Sequence, residues 1–479
     1  MKRIATFIAA ALAGMTMTAQ TLNVEVGQVT YQIPAADAGE MVYQNGETLT
    51  ILDKVYTLSD ISQMYIDDAE VSEASVSVAY SDDEAKVTVD GRIAKDLTFS
   101  INGAHVIVVP GSDVDYEITY SLSGTSADGE FTLGGSYKST VELNGLTLTN
   151  PNGAAINITN GKRIALSVKK DTENTLTDGT GGSQKAALYC KGHLELKGKG
   201  TLNVYGNTAH GIKSGDYTSM KNCTVNILKA VKDGLSVNEY FLMESGTLTI
   251  SGTGDDGIQC DLGGTASTGE TTDHDDEDTG NIYIEGGSLT VNVTAETSKD
   301  IKADGDLRIS DGTLNIVSSG GAAWDSDDSE VKSSHCLSSD GNMAISGGTL
   351  TLKATGKGGK CIKSDGTLTI SGGTLSATTT GSKYTYSRDS ASPKAIKSTG
   401  AMTISGGTIY AKSGNHEAIE SKSTLTISGG YVYAEATETS DHPRLPFAEV
   451  RISDEQGQLV AVLTSSGYRK QGANIDATL

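Results

Sequence analysis

One short unit recurs about ten times along the chain: an Ile or Leu anchor, a tight turn, and a corner reading TISGGT or close to it. The anchors stand in Ala154-Ala155-Ile156, Ala186-Ala187-Leu188, His210-Gly211-Ile212, Asp233-Gly234-Leu235 and Asp256-Gly257-Ile258. They continue in Lys299-Asp300-Ile301, His335-Cys336-Leu337, Lys360-Cys361-Ile362, Lys394-Ala395-Ile396 and Glu417-Ala418-Ile419. Ile212, Leu235 and Ile258 are 23 residues apart, as are Ile396 and Ile419, and the longer gaps hold insertions. A unit of this length accommodates three strands of about four residues with corners between them. In one copy, Cys361 to Ser364 forms strand a, Asp365-Gly366 a turn, Thr367 to Ile370 strand b, Ser371-Gly372-Gly373 a corner and Thr374 to Ala377 strand c. Period-two alternation puts Leu368 and Ile370 on one face. A single coil cannot bury that face, but stacked coils can, each strand pairing in parallel with its equivalent about 4.8 Å away. The expected fold is all-β: a right-handed single-stranded parallel β-helix, roughly 50 Å long for ten coils. The leucine-rich repeat, the rival at this period, needs an LxxLxLxxN core that is absent here.

Composition agrees. Gly is frequent at 57 residues, Pro is low at 6, and aromatics make up 5%. Tight corners and a thin core of β-branched residues explain that balance better than disorder or one thick core. Lys2 and Arg3, the apolar run Ile4 to Leu12, and Thr18-Ala19 read as an export signal over residues 1–19. That run is too short to span a bilayer, so no transmembrane segment is expected. The expected location is secreted, periplasmic or on the outer cell surface, as a monomer. Residues 20–116 lack the repeat and read as a small N-terminal β region with a hairpin turn at Asn45-Gly46. The solenoid covers 117–440, and 441–479 reads as a short β tail after the breaks at Pro443 and Pro446. The five Cys contain no CxxC and read as small buried or stacked thiols. A net charge of -23 argues against nucleic acid as a partner.

The repeated SDGTLTISGGTL motif, the xAIK and DGI anchors and LNGLTLTNPNGAAI resemble the carbohydrate-binding β-helix family of secreted bacterial proteins, whose folds are akin to pectate lyases. The resemblance spans about residues 117–435. It implies calcium sites on the helix surface and binding of cellulose or acidic plant polysaccharide, without established lyase activity.

Stacking turns sequence registers into columns. The residue before each anchor is mostly Gly, Ala or Cys and is expected to face outward, leaving a shallow groove. The residue after it gives a row holding Lys213, Lys302, Lys363 and Lys397. Insertions at 318–334 and 378–393 leave from the turn before strand a, and one at 262–279 from the turn after it, so all three would frame strand a. They carry Trp324, Tyr384 and Tyr386, whose rings can stack on sugars; rings packed on the rod are the alternative. Asp233, Asp255, Asp256, Asp300 and Asp304 cluster near the ends of strand a in adjacent coils. Stacked carboxylates repel unless a cation intervenes, and Ca²⁺ accepts such loose oxygen ladders. Asp-Gly turns alone would also place them there. The run Asp273 to Asp278 lacks the EF-hand spacing and reads as a solvated loop.

The leading expectation is a calcium-dependent polysaccharide-binding protein. A polysaccharide lyase is the first alternative, with Lys299 and Lys302 beside Asp300 as base candidates. Neighbouring carboxylates, however, favour charged lysine. A surface adhesin is the second.

Overall fold

The computed structural model describes residues 20–180, 183–263 and 279–436, together with the backbone of three short strands in 449–476. The leader 1–19, the run 273–278, most of the insertion at 262–279 and most of the tail lie outside the described residues.

The chain is a parallel β-helix. Strand a of every coil joins one sheet of thirteen strands, and strands b and c form a second, continuous sheet. The anchors stack in register, with Ile156 opposite Leu188, then Ile212, Leu235, Ile258 and Ile301, and on through Leu337, Ile362 and Ile396 to Ile419. Leu368 and Ile370 of strand b stack on Met343 and Ile345 below and on Met402 and Ile404 above. All these side chains are buried, and the aliphatic columns they form run together as one continuous core.

The SGG corner is fixed by space. A Cβ on Gly372 would stand 2.2 Å from the carbonyl oxygen of Ser346 in the coil below, and Gly406 and Gly429 meet Ser371 and Ser405 in the same way. The second glycine adopts positive φ, at +79° for Gly373 and +84° for Gly407. The turn from strand a to strand b is held by a buried serine two residues after the anchor. Ser339, Ser364 and Ser398 each donate a hydrogen bond to a turn carbonyl.

The N-terminal residues are continuous with the rod. Ala104–Pro110 pairs in parallel with Gly129–Leu133 and thereby extends the strand-a column. Ser75–Ser81 pairs in parallel with Ile118–Ser126. Antiparallel pairing of Thr21–Val26 with Val29–Pro34 and Ile61–Asp67 closes that end. All five cysteines are buried and none forms a disulfide.

Candidate functional site

Two successive residues of strand a, the anchor and its predecessor, face inward. The predecessors Gly211, Gly234, Cys336, Cys361 and Ala395 fill the corner against strand c, where a Cβ on Gly211 would lie 2.6 Å from Ile227 Cγ2. The Cys361 thiol points to the carbonyls of Leu352 and Thr378. The expectation that this small-residue column lines an outer groove is therefore corrected: alternation breaks at the corner, and the crowding there is what selects small residues. The outer face is built from the positions two before, one after and three after the anchor.

Those positions assemble a cationic groove. Lys299, Lys360 and Lys394 share the column two before the anchor, and Lys302, Lys363 and Lys397 the column one after it. Together they line a cavity of about 540 Å³. Two antiparallel hairpins from the insertions, Ala323–Asp325 with Glu330–Lys332 and Tyr384–Tyr386 with Asp389–Ala391, wall it on one side. The hairpins brace each other: the Val331 amide donates to Asp389 Oδ2 at 2.7 Å, and the rings of Trp324 and Tyr386 stack at 4.7 Å.

The groove holds its positive charge at a cost. The Lys360 amine is buried, donating to Ser333 Oγ at 2.7 Å and the Gly358 carbonyl at 3.2 Å. Burial and then the repulsion of Lys397, Lys363 and Lys394 lower its pKa to about 7. Lys397 is lowered to about 8, first by burial and then by Lys422. His335, between Ser333 and Ser338, is pushed well below the usual histidine range by burial and by Lys360. Burial lowers Lys299 as well, with Asp256 pulling the other way. Burial opposes the charge of Lys302, but Asp304 at 3.3 Å together with Asp256 and Asp261 outweighs it and keeps the amine above its ordinary range. At the far end Lys394 pairs with Glu417 at 2.8 Å and Glu420 at 2.7 Å.

Lys213 stands apart from the other three lysines of its row. It donates to Ser236 Oγ at 3.0 Å and lines a second cavity of about 390 Å³ with His210, Asp233 and Asp261. Trp324 and Tyr384 lie on the first strands of the hairpins, whereas the cavity is lined from the second strands, at Glu330 to Lys332 and Ser390 to Ser392.

Of the five aspartates, the structure gathers three. Asp233 approaches His210 Nδ1 at 3.1 Å and accepts the Asp256 amide at 3.2 Å, while Asp256 accepts the Lys299 amide at 2.6 Å. Burial, moderated by Lys299 and reinforced by Asp255 and Asp233, raises the Asp256 carboxyl to about 7. Carboxylate oxygens are the donors Ca²⁺ prefers, but His210 and Lys299 already stand beside this set. Asp300 does not join it: its carboxyl faces inward, accepts the Val293 amide at 3.0 Å and is raised well above the carboxylate range by burial. Facing inward, it also cannot serve as the groove-side partner of Lys299 and Lys302. Asp304 sits at the opposite end of strand a, paired with Lys302.

Two columns escaped the sequence reading. Of the lysines two before the anchor only Lys299 was picked out, singly, because simple alternation assigned the wrong neighbour to the outside. Asp261, Asp304, Asp340 and Asp365 all stand three after the anchor and edge the lysine rows with carboxylates. Lys363 reaches Asp365 at 2.7 Å. The signal for both was residue identity at fixed register.

A family model described as "Carbohydrate-binding domain-containing protein" matches residues 106–383 and 356–441, together more than half of the chain. A solved structure described as that of the polysaccharide lyase-like protein from C. thermocellum, a gadolinium derivative, is 22% identical over 51% of this chain and 92% of that chain, with a TM-score of 0.41. No curated protein matches.

Proposed function

Because the chain belongs to the carbohydrate-binding domain-containing protein family, we propose that its ligand is an acidic polysaccharide and that the lysine-lined groove of strand a receives it. The carrying observation is the double column of six lysines on a protein of net charge -23. Lysines on the coils of Ile301, Ile362 and Ile396, separated by His335 and Ser338 on the coil of Leu337, can meet carboxylates spaced along an extended uronate polymer. Lys302, Lys363 and Lys397, with Lys299, Lys360 and Lys394 behind them, supply charge-assisted hydrogen bonds. The two hairpins bearing Trp324 and Tyr384 limit how a chain enters from that side. Lys213 extends the same face three coils from Lys302, beside the aspartates.

Calcium belongs to this reading at Asp233, Asp255 and Asp256, where a bound ion would neutralise the carboxylates and could bridge to a uronate. Export, the expectation from residues 1–19, would put the protein where such polymers occur. The test is retention on immobilised polygalacturonate and on cellulose, with and without chelator. The expected result is retention on polygalacturonate that chelation weakens. No retention on any polysaccharide would end the proposal.

One observation favours a second reading, a lyase. A lysine at about 7 is partly neutral at neutral pH, and a neutral amine can remove a proton. Incubation with pectate and Ca²⁺ would then generate the ultraviolet absorbance of unsaturated uronates. A flat trace across neutral and alkaline pH removes this reading and leaves binding intact.

A further inference from the structure

Away from the groove, His193, Asp216 and Glu239 meet at the corner between strands a and b, one from each of three successive coils, at 23-residue spacing. Their donor atoms all lie within 4.8 Å of one another, and no side chain of the three is more than 8% exposed. His193 Nε2 stands 3.6 Å from Asp216 Oδ2 and 3.6 Å from Glu239 Oε2. A charge-assisted hydrogen bond would close to about 2.7–2.9 Å. Donors sharing a tetrahedral ion at bond lengths of about 2.0–2.2 Å stand about 3.3–3.6 Å apart.

The surroundings hold these groups in place. The His193 ring stacks on Tyr217 at 4.3 Å, and Tyr217 on Tyr240 at 4.8 Å. The imidazole thus takes the place in a ring column that tyrosines take in the next two coils. Tyr217, Tyr240 and Leu242 make this a buried apolar wall. The His193 carbonyl accepts the Ile164 amide, and the Glu239 carbonyl accepts the Gly280 amide, so both backbones are tied to neighbouring coils. A divalent cation bound by two carboxylates and an imidazole nitrogen would balance the carboxylate charge within a low-dielectric pocket.

We propose that His193, Asp216 and Glu239 form a buried binding site for a divalent transition-metal ion of the zinc type, which staples three coils together. One imidazole nitrogen with carboxylate oxygens suits zinc or its first-row neighbours, whereas calcium prefers oxygen alone. A carboxylate that lends both oxygens lets three side chains provide four donors. The burial makes the site structural, with no open position for a substrate.

The test uses the full chain, refolded with Zn²⁺ to bypass slow entry, then desalted and analysed for metal. Wild type is expected to retain zinc, and Asp216→Asn and Glu239→Gln to retain at least about tenfold less. Chelation should lower the wild-type Tm, and Zn²⁺ should restore a part of it that Ca²⁺ alone does not. Co²⁺ in the refolded wild type should give the visible absorption of a low-symmetry nitrogen and oxygen site, which decides the matter even if the variants fail to fold. The proposal is overturned if wild type retains no zinc and gives no such Co²⁺ spectrum. It is equally overturned if Glu239→Gln holds zinc as tightly as wild type, or if NMR shows His193 to be an imidazolium paired with both carboxylates in the presence of Zn²⁺.

Discussion

At the scale of single residues, the proposal that the groove receives a ligand rests most plainly on Lys360. Its amine is buried among other lysines, and burial with that repulsion lowers its pKa to about 7. Between that value and the ordinary lysine range the unfolded chain binds the extra proton, so this group makes stability rise with pH across that window. Replacing the charge by a similar apolar shape should therefore help folding and harm binding. Lys360→Met is expected to gain on the order of 1 kcal/mol at neutral pH, despite the lost bonds to Ser333 and Gly358, and to bind polygalacturonate about tenfold more weakly. Denaturant melts and calorimetry check both signs. The same titration predicts that affinity in the parent protein falls as pH rises through about 7 to 8, where Lys360 and Lys397 lose their charge. A measured affinity that is flat from pH 6 to 9 would count against the assignment. The sequence carried half of this. Lys302, Lys363 and Lys397 were legible because a following residue on a strand faces away from its anchor. Lys360 was not, because the two inward residues at the corner shift the alternation by one, and that shift comes from crowding against strand c.

Among elements, the coil corner is the most constrained. Gly372 lies under the Ser346 carbonyl with no room for a methyl group. Gly372→Ala is expected to cost about 2–4 kcal/mol in chemical denaturation, whereas Thr374→Ala, on an exposed strand position, should stay within about 0.5 kcal/mol. Equal small effects at both positions would show that the corner relaxes more easily than its geometry implies. This corner was fully legible, since SGG recurs wherever the stack requires close approach and positive φ. The insertions were legible as positions and not as shapes. Residues 318–334 and 378–393 were correctly placed before strand a, but their pairing into two hairpins that brace each other through Trp324 and Tyr386 depends on a contact between segments about 60 residues apart. No local pattern encodes that contact.

For the molecule as a whole, a rod of stacked coils with net charge -23 brings six lysines together in one groove. Such a field draws an acidic polymer to one face and repels it elsewhere. The parallel stack itself was readable from the anchor spacing, because burial of a thin apolar face leaves few other solutions. The division of the strand-a face into a cationic groove and a separate acidic corner was not readable, since it depends on which columns point outward. Binding should also weaken with salt, as exposed charge pairs are screened. The most direct test of the central claim is calorimetric titration of oligogalacturonate into wild type and into the Lys360→Met, Lys363→Ala, Lys397→Ala triple variant at two salt concentrations. The groove predicts measurable binding to wild type, weaker at high salt, and a loss of about tenfold or more in the triple variant with the fold preserved by circular dichroism. Wild-type affinity in the well-folded variant would contradict it.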